Sequence, residues 1–114
     1  MLTVVNKYTH TYGSTSIYVG RPSALGNPFS IPQHGDRDMV IGKYINWLAE
    51  NWNNTTVHDK LMMLASREKM GLNTYLVCYC APLSCHAGII KIMVGCIVDS
   101  PDDPITAFNN YFNK

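Results

Sequence analysis

The chain has 114 residues, 46% hydrophobic and 15% charged, with nine Lys and Arg against eight Asp and Glu for a formal net charge of +1. That length suits one domain, residues 1–114, because two cores would leave each half too small to bury enough surface, and the apolar content excludes an intrinsically disordered chain. A near-neutral charge without a basic cluster argues against a dedicated duplex-DNA binder, which must neutralise many phosphates, whereas a small phosphorylated ligand needs only one or two cations.

The first residues, MLTVVNKYTHTYG, are too polar for a signal peptide, and no run of about 18 apolar residues occurs anywhere. The expectation is a cytoplasmic protein with no membrane partner, whose cysteines stay reduced. Leu2 to Asn6 and Ser16 to Val19 are short β-branched or aromatic runs separated by Thr, Gly and Ser, which predicts two strands with a turn near Gly13. GRPSALGNPFSIPQHG, from Gly20 to Gly35, holds three prolines and three glycines and therefore reads as an extended loop. A loop this long in a small domain is usually functional or mobile.

From Asp36 the apolar residues Val40, Ile41, Tyr44, Ile45, Leu48 and Trp52 recur at spacings of three and four, the period of one helix face, with Asp36 as its cap. The run NNTT at positions 53–56 ends that helix, and a second is expected from Thr56, with Asp59 three residues on and Gly71 at its close. TYLVCYC, Thr74 to Cys80, is a near-continuous apolar run of strand formers, which predicts an interior strand covered on both faces. Pro82 breaks it, Ser84 can cap a third helix with Ile89, Ile90 and Met93 on the buried side, and a last short helix runs from Pro104 to Phe112. This order predicts a single small α/β domain with a short, mainly parallel sheet flanked by helices. In such sheets ligands bind outside the carboxyl ends of the strands, where both GRPSALGNPF and APLSCH would lie.

The loop from Gly20 to Phe29 can gather Arg21, the Ser23 hydroxyl, backbone amides and the Asn27 amide. Gly20 and Gly26, lacking Cβ, can take positive φ and admit a ligand close to the backbone. Amides in such turns form anion-binding concavities, and a guanidinium beside them can grip phosphate or carboxylate. Rigid loop shaping, with Asn27 as a turn former before Pro28, explains the same residues. Arg37 can turn toward the same cleft, or serve only the electrostatics of the helix start.

CYCAPLSCH, positions 78–86, admits three readings. Cys78, Cys80, Cys85 and His86 are zinc-ligand types, although Cys-x-Cys-x4-Cys-His is not a familiar zinc spacing. Cys85 at a helix start is a candidate reactive thiolate, with His86 as acid or base. Alternatively Cys78, Cys80 and Cys96 are small core hydrophobes. Trp47 and Trp52 read as helix-packing residues, and His10, His34 and His58 as solvated side chains, of which His34 adjoins the long loop.

Taken together, YVGRPSALGNPF, DRDMVIGKYINWL and LVCYCAPLSCHAGII resemble a family of small bacteriophage and bacterial proteins known as a domain of unknown function. The resemblance spans roughly Val4 to Met93. Its pattern falls on Gly20, Arg21, Leu25, Gly26, Asn27, Pro28 and Phe29, on Arg37, Tyr44, Trp47 and Leu48, and on Cys78, Cys80, Ala81, Pro82, Cys85 and His86. The chain departs from it at Tyr79, where the family typically has Trp, and at Ala87-Gly88, where in the family an acidic residue often follows His-Gly. The resemblance implies a phage origin, hence a host cytoplasm, and a joint site for the two motifs.

The resulting expectation is a protein that binds a nucleotide or related phosphorylated or ribosylated small molecule. Gly20, Arg21, Ser23, Gly26, Asn27, Arg37 and Cys80 would be ligand-binding, and Cys85 and His86 would do any catalysis. The alternatives are a phage sponge that sequesters a host signalling nucleotide without turnover, and a zinc-stapled module that docks on a host protein or nucleic acid.

Overall fold

A computed structural model describes residues 1–8, 13–78 and 86–113 of the chain. Seven elements follow in the order β1 (Leu2–Asn6), β2 (Ser16–Tyr18), α1 (Arg37–Glu50), α2 (Thr55–Lys69), β3 (Thr74–Cys78), α3 (His86–Asp99) and α4 (Pro104–Phe112). The strands form one parallel sheet in the order β1-β3-β2. Leu2 faces Thr74 across the first pairing, and Ser16 faces Tyr75 across the second. The apolar run TYLVC thus becomes the central strand, where Leu76, Val77 and Cys78 are wholly inaccessible, as a strand covered on both faces requires.

Local chemistry sets the helix ends. Asp36 caps α1 by accepting from the Met39 amide at 2.9 Å. α2 starts one residue before the expected Thr56, because Asn54 is the better cap and its side chain accepts from both the Thr56 and Val57 amides. The close of α2 at Gly71 is as expected: φ is +73°, the Leu72 amide donates to Arg67 O and the Gly71 amide to Glu68 O, the paired bonds of a left-handed C-terminal cap. Asp103 caps α4, with Pro104 in its first turn. Ser84, the expected cap of α3, lies outside the described residues.

Helix α3 is the hub of the packing, touching α1, α2 and α4 as well as β1 and β3. Its Ile90, Met93 and Val94 are fully buried beside Leu48 of α1, Leu61 and Leu64 of α2 and Phe108 of α4. The Cα radius of gyration is 13.4 Å, matching the ~13 Å of a compact domain of about this length. Among the described residues no helix is long and apolar enough to cross a membrane.

Candidate functional site

Because β2 and β3 are parallel, the chain leaves both at the same end of the sheet. The Val19 amide makes the last bond to β3, donating to Val77 O at 3.0 Å. Two successive tight turns follow, closed by the Ser23 amide on Gly20 O and the Gly26 amide on Ser23 O, each at 2.9 Å. The Tyr18 hydroxyl donates to Arg21 O at 3.0 Å, and the buried Tyr44 hydroxyl of α1 donates to Leu25 O at 2.6 Å. Asn27 completes the fastening: its Nδ2 donates to Val40 O at 3.3 Å and its Oδ1 accepts from the Phe29 amide at 2.9 Å.

The glycines of this loop serve a different purpose from the one expected. Among the described residues only Gly35 and Gly71 have positive φ, so neither Gly20 nor Gly26 is in the left-handed region. What excludes a side chain is the chain's own approach. A Cβ on Gly20 would run into the Tyr18 hydroxyl and ring, and one on Gly26 would sit 3.1 Å from the Arg21 backbone and from Gly20 O. The loop folds back tightly on itself, and Asn27 works chiefly as its fastener.

His86 opens α3 and is 91% buried against the loop. Its Nε2 donates to Val19 O at 2.6 Å, and its ring meets the Tyr44 ring edge-on at 5.2 Å between centroids. Tyr44 in turn stacks on Trp47 at 5.5 Å. Since a carbonyl can only accept, Nε2 carries the proton and the second nitrogen is the basic one. Burial lowers the His86 pKa below 6.5, and the nearby Arg21 charge pushes the same way, against the opposing pull of the Val19 bond. The imidazole is therefore neutral at pH 7.

The two sequence motifs thus meet through one hydrogen bond that joins residues 67 positions apart. Cys78 sits in the core at the end of β3. Cys80 and Cys85, with the residues between them, lie outside the described residues. Among the described residues no three His, Cys, Asp or Glu side chains group closely enough to hold a metal ion.

Arg21 is exposed at the loop surface, and Arg37 is half-buried in the first turn of α1. Ser23 Oγ has almost no accessible surface and no hydrogen-bond partner among the described residues. It lies on a small cavity of about 50 Å³ formed by residues 17–19, residues 23–25 and Lys60 of α2. The sequence reading passed over Lys60. A signal was present, since Lys60 falls three residues after the buried Val57 and four before the buried Leu64, at the margin of the inward helix face.

The remaining expected candidates are structural fasteners. His34 is exposed but not simply solvated, because its Nδ1 accepts from the Ser30 amide at 3.0 Å and its ring contacts Phe29. His58 is half-buried: its Nδ1 approaches Trp52 O at 3.2 Å and its ring packs on Trp52, bracing the α1–α2 connection. His10 lies outside the described residues.

No curated protein and no solved structure matches the chain significantly. A family profile described as "Domain of unknown function (DUF4326)" matches residues 4–95. That span takes in the end of β1, all of β2 and β3, the Gly20–Phe29 loop and most of α3, so the chain belongs to this family of domains of unknown function.

Proposed function

We propose that the chain binds a nucleotide or a related phosphorylated or ribosylated small molecule at the carboxyl ends of β2 and β3, between the Gly20–Phe29 loop and the segment that leads into His86. The observation that carries this reading is the His86–Val19 hydrogen bond. It holds the loop against the start of α3 at the end of a parallel sheet where ligands of α/β domains bind. Arg21 supplies an exposed cation there, and Ser23 a hydroxyl with no hydrogen-bond partner among the described residues. Gly20, Gly26 and Asn27 shape the loop rather than grip the ligand. Arg37, Cys80 and Cys85 complete the proposed set, with Cys85 and His86 as the residues for any chemistry on the ligand.

A second reading of the same site is a sponge that holds its ligand without turnover.

Thermal-shift screening against nucleotides, cyclic nucleotides and ADP-ribose-like compounds tests the proposal. A ligand at about 100 times its Kd stabilises by about 2.7 kcal/mol, a Tm rise on the order of 10 °C for a chain of this size. Arg21→Ala should weaken binding about tenfold or more, as loss of a charge-assisted hydrogen bond does. A flat screen, or affinity unchanged in Arg21→Ala, would refute it. Recovery of the ligand after denaturation separates the two readings: intact ligand supports the sponge, and a converted product supports an enzyme.

A further inference from the structure

We infer that the cavity between β2, the 23–26 turn and α2 receives a tetrahedral oxyanion, held by Lys60 and Ser23. Its identity as the phosphate end of the ligand rests on the nucleotide reading above.

Three observations converge on this cavity. Ser23 Oγ is shielded from solvent without a partner among the described residues, and a buried hydroxyl in that condition calls for a bound group to satisfy it. The turn closed by the Gly26 amide on Ser23 O leaves the amides of its central residues, Ala24 and Leu25, outside its own hydrogen bond, and such amides are the donors of anion-binding turns. Lys60 lines the same space and has no carboxylate partner among the described residues. The other walls are Ile17, Tyr18, Val19, Ala24 and Leu25, and Lys60 itself is exposed on α2.

The volume narrows the occupant. At about 50 Å³ the cavity exceeds the ~10–15 Å³ that one water requires and falls far short of the ~300–1,000 Å³ of a pocket enclosing a drug-sized molecule. That range suits a small anion rather than a wholly enclosed nucleotide. Among the described residues no acidic side chain lines the cavity and one cation does, which favours an anion over a cation.

Binding of inorganic phosphate, measured by calorimetry and thermal shift at constant ionic strength with chloride and acetate as controls, tests the inference on the full chain. The native protein should bind phosphate in preference to both controls. Lys60→Met and Lys60→Gln should each lose at least tenfold in affinity, and Ser23→Ala should lose several-fold while melting no lower than the native chain. Phosphate no better than chloride or acetate, or full phosphate affinity in both Lys60 variants, overturns it. A parallel titration with nucleoside monophosphates separates the two proposals. Lys60-dependent phosphate binding without nucleotide binding upholds the cavity and removes the nucleotide reading. Nucleotide binding indifferent to both Lys60 variants and to added phosphate does the reverse.

Discussion

His86 links pH to stability in a way that can be measured without knowing the ligand. Its pKa in the folded chain lies below 6.5, chiefly because burial penalises the imidazolium and secondarily because Arg21 repels it. The unfolded chain, where the histidine has its ordinary pKa, therefore binds the proton more readily than the folded chain. Stability from neutral His86 is fully present above about pH 6.5 and falls as pH drops from there toward the folded-state pKa, below which the slope ends. Within that window one proton separates the two states, which sets a limiting slope of about 1.4 kcal/mol per pH unit. The comparison is between the native chain and His86→Gln, whose side-chain amide can still donate to Val19 O but does not titrate. Urea unfolding from pH 4.5 to 8 should show the native chain losing stability below pH 6.5 more steeply than the variant, by up to that slope. The other three histidines are common to both proteins and cancel in the difference. Parallel curves for the two proteins would show that burial does not depress this histidine's pKa.

The loop can be probed at its fastenings. Tyr44→Phe keeps the ring against Trp47 and His86 but strands Leu25 O, which accepts the Tyr44 hydroxyl at 2.6 Å; urea unfolding should show a loss of about 1–3 kcal/mol, and no change would place that carbonyl in contact with solvent. Gly20→Ala and Gly26→Ala should each destabilise by about 1–3 kcal/mol, the usual range for overpacking. Only the first should be relieved by a second change, because its Cβ meets the Tyr18 side chain whereas that of Gly26 meets backbone. A double-mutant cycle of Gly20→Ala with Tyr18→Ala should give a favourable coupling of about 1 kcal/mol, and additive losses would rule out the clash as the cause.

The parts of the fold governed by local pattern were legible. β1 and α4 were read with the boundaries found, and the continuous apolar run at Thr74 marked the central strand, because one-dimensional patterns report burial on a face or on both faces. The α1 cap at Asp36 and the stop at Gly71 are likewise local chemistry. The start of α2 was misplaced because Asn54 and Thr56 are both acceptable caps and only geometry decides between them. The loop residues stood out in the sequence, but the contacts they make did not. Gly20 and Gly26 stood out for lacking Cβ, yet sequence cannot distinguish a glycine that admits a ligand from one that admits Tyr18 or the Arg21 backbone. His86 stood out from its place in CYCAPLSCH, but its partner is a carbonyl 67 residues away, and no side-chain pattern encodes a backbone acceptor. Lys60 has no special neighbour in sequence and gains significance only where α2 brings it against the loop.

These roles shift the recognition problem toward less conspicuous groups. The motif residues Asn27, Tyr44 and His86 all make hydrogen bonds to backbone of the chain itself, so removing one should alter the loop's shape before it alters any direct contact. Ser23 and Lys60 belong to a different category: among the described residues one hydroxyl is shielded without a partner, and one cation lines the same cavity without a carboxylate. A rigid loop with its internal bonds satisfied and a few donors unsatisfied is preorganised, because the ordering of the donors precedes the arrival of the ligand. Changes at Tyr44 or His86 should therefore lower stability and ligand affinity together. Changes at Lys60 should lower affinity while leaving stability in the absence of ligand nearly unchanged, and that separation distinguishes the frame of the site from its contacts.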